Sequence, residues 1–151
     1  MSDRAKIVGH TIRRTIVVPV DRDKVWASLT ETDLISTWFS DSTTLSALEP
    51  GATGRFDWDG YGNFPFEVTE VEPKSVFGYR WSGIPAEELL SDDSTLVRFE
   101  LADAADGTEI TVIESGFEKL HGGTAYRRTR LEQNRDGWNI EFDELALALE
   151  G

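Results

Sequence analysis

The chain has no cysteine, and only two histidines, one methionine and five prolines among its 151 residues. Without thiols it has neither a disulfide framework nor a thiolate metal or redox site. His10 and His121 lie too far apart in sequence to form a local ligand pair, and a zinc site would need carboxylates gathered from distant positions. No metal and no cofactor is expected. Asp57-x-Asp59-Gly60 has the start of a calcium loop but lacks its later ligands and bidentate glutamate, so it reads as a hairpin turn. Gly60-x-Gly62 opens no helix and supports no phosphate cradle. No Gly-x-Ser-x-Gly elbow occurs, and no nucleophile stands at a recognisable spacing from a histidine.

Basic residues are scarce as well. Fifteen stand against twenty-eight acidic ones, and the net charge of -13 repels phosphate backbones, which argues against a nucleic-acid partner. Between residues 25 and 116 the only basic residues are Arg55, Lys74, Arg80 and Arg98. Such an acidic surface favours solubility. No apolar run approaches the ~18 residues of a membrane span, and Met1 to Lys6 lacks the apolar region of a signal peptide. A cytoplasmic protein with no membrane partner is expected. At 39% hydrophobic residues the chain can bury a core, and one domain over 1-151, with its core at about 10-150, accounts for its length.

The strongest pattern lies at the C-terminal end. Leu131, Trp138, Phe142, Leu145 and Leu149 share one face of a helix predicted from Thr124 to Leu149, about 39 Å long at ~1.5 Å per residue. Gln133, Glu141, Asp143 and Glu144 are assigned to its water-facing side. Gly137 is an exception within it, and predicts a bend or a close backbone approach. Ahead of this helix, His10 to Val18 reads as a strand ended by Pro19. Asp21 caps a short helix from Arg22 to Leu29, and Thr30 and Asp33 at capping-box spacing open a second that runs through Trp38 and Phe39. Strands follow at about Gly54 to Trp58, Phe64 to Val71, Val76 to Trp81, Thr95 to Leu101 and Thr108 to Phe117, separated by turn residues. The acidic connection from Ser82 to Ser94 has the composition of a flap. The element order predicts an α+β fold, a curved antiparallel sheet with two short helices and a long C-terminal helix packed across it.

Several stretches together point to a family: Pro19 to Trp26, Trp38-Phe39, Glu72-Pro73 leading to Trp81, Gly107-Thr108, Glu114 to Phe117, and Gly137-Trp138. In this order they resemble the START-like (SRPBCC) helix-grip superfamily, and within it the AHSA-type branch, named for an activator of a heat-shock chaperone ATPase. The resemblance covers roughly residues 10 to 150. Lys74 departs from it, since the branch often has a second proline there. The resemblance implies a hydrophobic cavity between the sheet and the long helix.

Trp38, Trp58, Phe66, Tyr79, Trp81, Phe99 and Trp138 are the candidate lining, although aromatic residues fill ordinary cores too. Glu114 shares strand parity with Ile110 and Val112 and so points inward, where an unpartnered carboxylate is costly. Arg80 and Arg98 have the opposite parity, so no cationic partner is evident. Arg127, Arg128, Arg130 and Arg135 read as a solvated face paired with nearby acids, or else as an anchor for an anionic ligand. Three functions fit these residues. The first is an intracellular binding protein, a monomer or homodimer, for a small hydrophobic molecule oriented by Glu114 and Tyr79. The second, which the resemblance implies because some relatives with that fold are such enzymes, is a cyclase- or dehydratase-type enzyme with Glu114 as catalytic acid/base. The third, which only the name of the branch implies and which ranks lowest, is a chaperone ATPase co-regulator with a chaperone partner.

Overall fold

The computed structural model of the chain describes residues 4–150. Period-2 runs of β-branched and aromatic residues form eight strands: β1 (Lys6–Val8), β2 (Thr11–Val18), β3 (Ser42–Leu45), β4 (Thr53–Trp58), β5 (Gly62–Glu72), β6 (Val76–Trp81), β7 (Thr95–Ala104) and β8 (Gly107–Ser115). They make one antiparallel sheet in the order β1-β2-β8-β7-β6-β5-β4-β3. From β3 to β8 the chain simply meanders, and β2 adds to the free edge of β8. Helices α1 (Arg22–Thr30) and α2 (Thr32–Ile35) fill the connection from β2 to β3, and α3 (Thr124–Glu150) crosses the sheet. The fold is the α+β arrangement expected from the element order, in the helix-grip form that the family resemblance implies.

Alternation decides which face α3 covers. Ile12, Ile16 and Val18 of β2, Val97, Phe99 and Leu101 of β7, and Ile110 and Val112 of β8 are all buried. The helical stripe of Leu131, Trp138, Phe142, Leu145 and Leu149 is buried too, and Phe142 stacks on Phe99 at 6.1 Å between ring centroids. Arg14 shares the inward parity of β2, and its side chain is wholly buried. It donates to the Trp138 carbonyl at 3.2 Å, the Asn139 carbonyl at 2.8 Å and Asp143 Oδ1 at 2.6 Å, which locks β2 to the middle of α3. The Arg14 hydrogen bond holds the Asp143 carboxyl below the usual carboxylate range.

Several local expectations are corrected. Asp21 caps α1 through the Lys24 amide at 3.0 Å, but the capping box at Thr30 does not form. The Thr30 hydroxyl instead donates back to the Trp26 carbonyl at 2.8 Å, so α2 begins at Thr32 without a side-chain cap and ends before Trp38. Trp38 is then pinned by its indole N–H to the Ser28 carbonyl at 2.8 Å. The short strands β1 and β3 were not expected; each is an edge strand of at most four residues, too short for alternation to register. Lys74 takes φ 63°, a conformation closed to proline, so the turn from Glu72 to Ser75 differs in kind from a double-proline turn.

The 82–94 connection is irregular but fastened. Arg130, expected on a solvated face, is buried and donates to the Ser82 carbonyl and the Tyr126 hydroxyl, both at 3.0 Å. The Ala86 amide reaches the Asn63 carbonyl at 3.0 Å, and Asp93 accepts the His121 amide at 2.9 Å. Arg128 and Arg135 do pair with Glu132 and Asp136 at the surface, where such pairs contribute little.

Candidate functional site

Glu114 points inward from β8 as its parity requires, and it is completely buried. Its partners are neutral donors rather than a cation. Trp81 Nε1 donates to Oε2 at 2.9 Å and Thr95 Oγ1 to the same oxygen at 2.5 Å. Trp138 Nε1 donates to Oε1 at 2.8 Å, and Asn134 Nδ2 lies between both oxygens at 3.1 and 3.0 Å. Five contacts from four donors occupy the roughly four lone-pair sites of a carboxylate. Strands β6, β7 and β8 and helix α3 therefore meet on one side chain.

That network fixes one wall of a cavity of about 230 Å³ between α3 and the β4–β6 part of the sheet. From the sheet side and its connections come Phe39, Trp58, Tyr61, Phe64 and Trp81; from α3 come Gln133, Asn134, Gly137, Trp138 and Glu141. The rings brace one another. Phe39 stacks on Trp138 at 5.6 Å and meets Trp58 edge-on at 5.0 Å, while Trp58 meets Phe64 at 4.7 Å. Tyr61 and Gln133 are exposed and mark the mouth. Glu141 is the one acidic residue of the lining. Its Oε2 is sealed from solvent and has no hydrogen-bond partner among the described residues, and burial, with the nearby Glu144 carboxylate second, pushes its pKa up to about 8.

Of the residues singled out in the sequence, Trp58, Trp81 and Trp138 line this cavity. Trp38, Tyr79 and Phe99 are buried in the packed core, and Glu114 lies behind the wall it orients. The Tyr79 hydroxyl has no hydrogen-bond partner among the described residues, and burial, followed by the charges of Glu114 and Glu141, raises its pKa well above that of a free phenol. Phe66 borders a larger hollow of about 580 Å³ at the β3–β5 edge, with Thr44, Ser46, Thr53, Arg55 and Glu67 around it. That hollow is half-walled by polar side chains of an edge and has no aromatic enclosure, so the smaller cavity is the better candidate. Phe39, Tyr61, Phe64, Gln133, Asn134, Gly137 and Glu141 were missed. Gln133 is water-facing as expected and stands at the cavity mouth, whereas Glu141, expected on the same water-facing side, is partly buried on the lining.

Gly137 also has a different role from the bend or close approach expected of it. A Cβ there would meet nothing within 4 Å, because the residue faces the cavity. Gly137→Ala is therefore expected to stabilise the protein by up to about 1 kcal/mol through helix propensity. Equilibrium urea unfolding measures this, and a loss of stability would restore the packing role.

The sequence matches the family described as "Activator of Hsp90 ATPase homolog 1-like protein" over residues 19–150. No curated protein matches it significantly. Among solved structures it is similar to DynU16, described as a putative protein in the dynemicin biosynthetic locus, with 28% identity and a TM-score of 0.74. That match covers 95% of this chain and 48% of DynU16, so the chain spans about half the length of that relative. Protein MLL2253 from Mesorhizobium loti superposes with a TM-score of 0.75 at 23% identity, covering 92% of this chain and 96% of that one. The Aha1 dimer from Colwellia psychrerythraea does so with a TM-score of 0.72 at 21% identity, covering 95% and 97%. These last two likenesses concern the fold alone. With a family match running from the end of β2 through α3, the chain belongs to the Activator of Hsp90 ATPase homolog 1-like family, within the START-like helix-grip superfamily.

Proposed function

We propose that the chain binds a small, largely apolar molecule in the cavity between α3 and β4–β6. The observation that carries this reading is the aromatic lining: six aromatic rings line a half-open hollow of about 230 Å³, and the helix side is kept clear by a glycine where any side chain would enter the space. The volume lies just below the ~300–1,000 Å³ of drug-sized sites, which sets a modest upper size for the ligand. The similarity to a protein of a biosynthetic locus agrees with a small-molecule ligand. Glu114 acts as a positioning residue, because its carboxylate is engaged by Trp81, Thr95, Asn134 and Trp138 and orients three residues of the wall. This favours binding over a catalytic role for Glu114, and it makes no use of the ATPase activation in the family description.

An environment-sensitive apolar dye is expected to bind the folded protein near 1:1 and to quench tryptophan fluorescence through Trp58, Trp81 and Trp138. Gly137→Leu fills the cavity from the helix side, and is expected to weaken that binding at least about tenfold with the circular dichroism spectrum unchanged. Equal binding by this variant, or no binding by the wild type to any of a diverse probe set, overturns the reading.

A further inference from the structure

We propose that the ligand of this cavity is a lipophilic organic cation, an amine or a quaternary ammonium, held by the aromatic rings and by the carboxylate of Glu141. The inference rests on the reading of the cavity as a binding site and adds the chemical class of its occupant. Phe39, Trp58, Tyr61, Phe64, Trp81 and Trp138 supply the rings. The face of each ring carries the negative end of a quadrupole, and a cation placed among several such faces gains most when water is excluded. The lining contains no lysine, arginine or histidine to compete for that position.

Charge points the same way. Glu141 is the one acidic residue of the lining, and among the described residues its carboxyl has no cationic partner: Oε2 is closed off without a hydrogen bond, so a cation in the cavity would meet the charge of the group rather than that oxygen. Among the described residues, the titratable groups that the interactions and the lining place around Glu141 are acidic: Glu144 on its own helix, Tyr79 on β6 and Tyr61 at the mouth. Glu114 stands behind Asn134, Trp81 and Trp138. An anionic ligand would meet the Glu141 carboxyl, with Glu114 behind the wall, and no base on the lining. The net charge of -13 attracts cations to the whole surface. A neutral ligand accepting a hydrogen bond from protonated Glu141 is the competing occupant, and the two differ in pH dependence. A permanent cation ionises Glu141 and releases its proton, so its affinity rises with pH by up to about tenfold per unit until pH passes the Glu141 pKa of about 8. A neutral acceptor needs the protonated acid, so its affinity stays level up to the Glu141 pKa of about 8 and weakens only above it.

Phenyltrimethylammonium and its uncharged isostere tert-butylbenzene separate these cases, with binding followed by tryptophan fluorescence between pH 6 and pH 8. The cation is expected to bind at least about tenfold more tightly than the isostere at pH 8, and its advantage to shrink toward pH 6. Glu141→Gln, which keeps the side-chain shape, is expected to remove that pH dependence and weaken the cation about tenfold or more, leaving tert-butylbenzene within about twofold. Tighter or equal binding of tert-butylbenzene, or a Glu141→Gln protein that binds the cation unchanged, overturns the cation assignment and leaves the apolar cavity standing. Failure of both probes to bind overturns the cavity reading as well.

Discussion

Glu114→Gln is expected to destabilise the protein by about 3 kcal/mol, lowering Tm by roughly 6–12 °C. Removing a buried charge often stabilises a fold when apolar groups take its place, but here the surroundings are built to receive an anion. Each carboxylate oxygen accepts an indole N–H, Trp81 on Oε2 and Trp138 on Oε1. The Thr95 hydroxyl can rotate and the Asn134 amide can flip to offer an acceptor, whereas an indole nitrogen can only donate. Whichever way a glutamine amide turns, its NH₂ faces one of the two indoles. One tryptophan then loses its hydrogen bond in a buried position and shifts, which moves the cavity wall. Thermal melting gives the stability, and near-ultraviolet circular dichroism reports the indole rearrangement. A Glu114→Gln protein as stable as the wild type, with unchanged aromatic bands, would show that the carboxylate is dispensable to the network.

The inward direction of Glu114 could be read from alternation along β8, but its partners could not. They come from three other elements, 19 to 33 positions away along the chain. Strand parity says which face a residue occupies and is silent about what stands opposite. Arg14 shows the converse. It shares parity with Ile12, Ile16 and Val18, so its burial was legible, yet an arginine is discounted as a surface residue until a carboxylate and two helix carbonyls are placed beside it. The apolar stripe of α3 was unambiguous because five large residues keep its period. The cavity-lining face next to it is mixed. Asn134, Gly137, Trp138 and Glu141 lie on one side at helical spacing, but a glycine and two polar residues there look like a face turned to water. Only the aromatic residues of the opposite wall make it an interior surface, and one of these, Phe39, had been assigned to a helix that ends four residues earlier.

A cavity that holds an unpartnered carboxyl should be visible in the pH dependence of stability. In the folded protein Glu141 keeps its proton up to about pH 8, while in the unfolded chain a glutamate ionises near ~4.3. Between these values the folded state binds one more proton than the unfolded state, so raising the pH favours unfolding. The stabilisation is present in full below the unfolded pKa and is lost as pH rises through the folded one, with a slope of at most about 1.4 kcal/mol per unit. Part of the side chain contacts solvent, and with that discount we expect a loss of about 2–3 kcal/mol between pH 5 and pH 8. Asp143 acts with the opposite sign. Arg14 holds it ionised, so its contribution is present above ~3.9 and disappears as the pH falls below that value. Stability should therefore peak near pH 5. Glu141→Gln carries no ionisable group and should follow the wild type at pH 5 but exceed it by about 2–3 kcal/mol at pH 8.5. Urea unfolding of both proteins across this range isolates the Glu141 contribution from the general repulsion of a chain with a net charge of -13. A difference between them that stays flat from pH 5 to pH 8.5 would mean that Glu141 ionises freely in the folded protein, and that the cavity mouth admits water as far as its carboxylate.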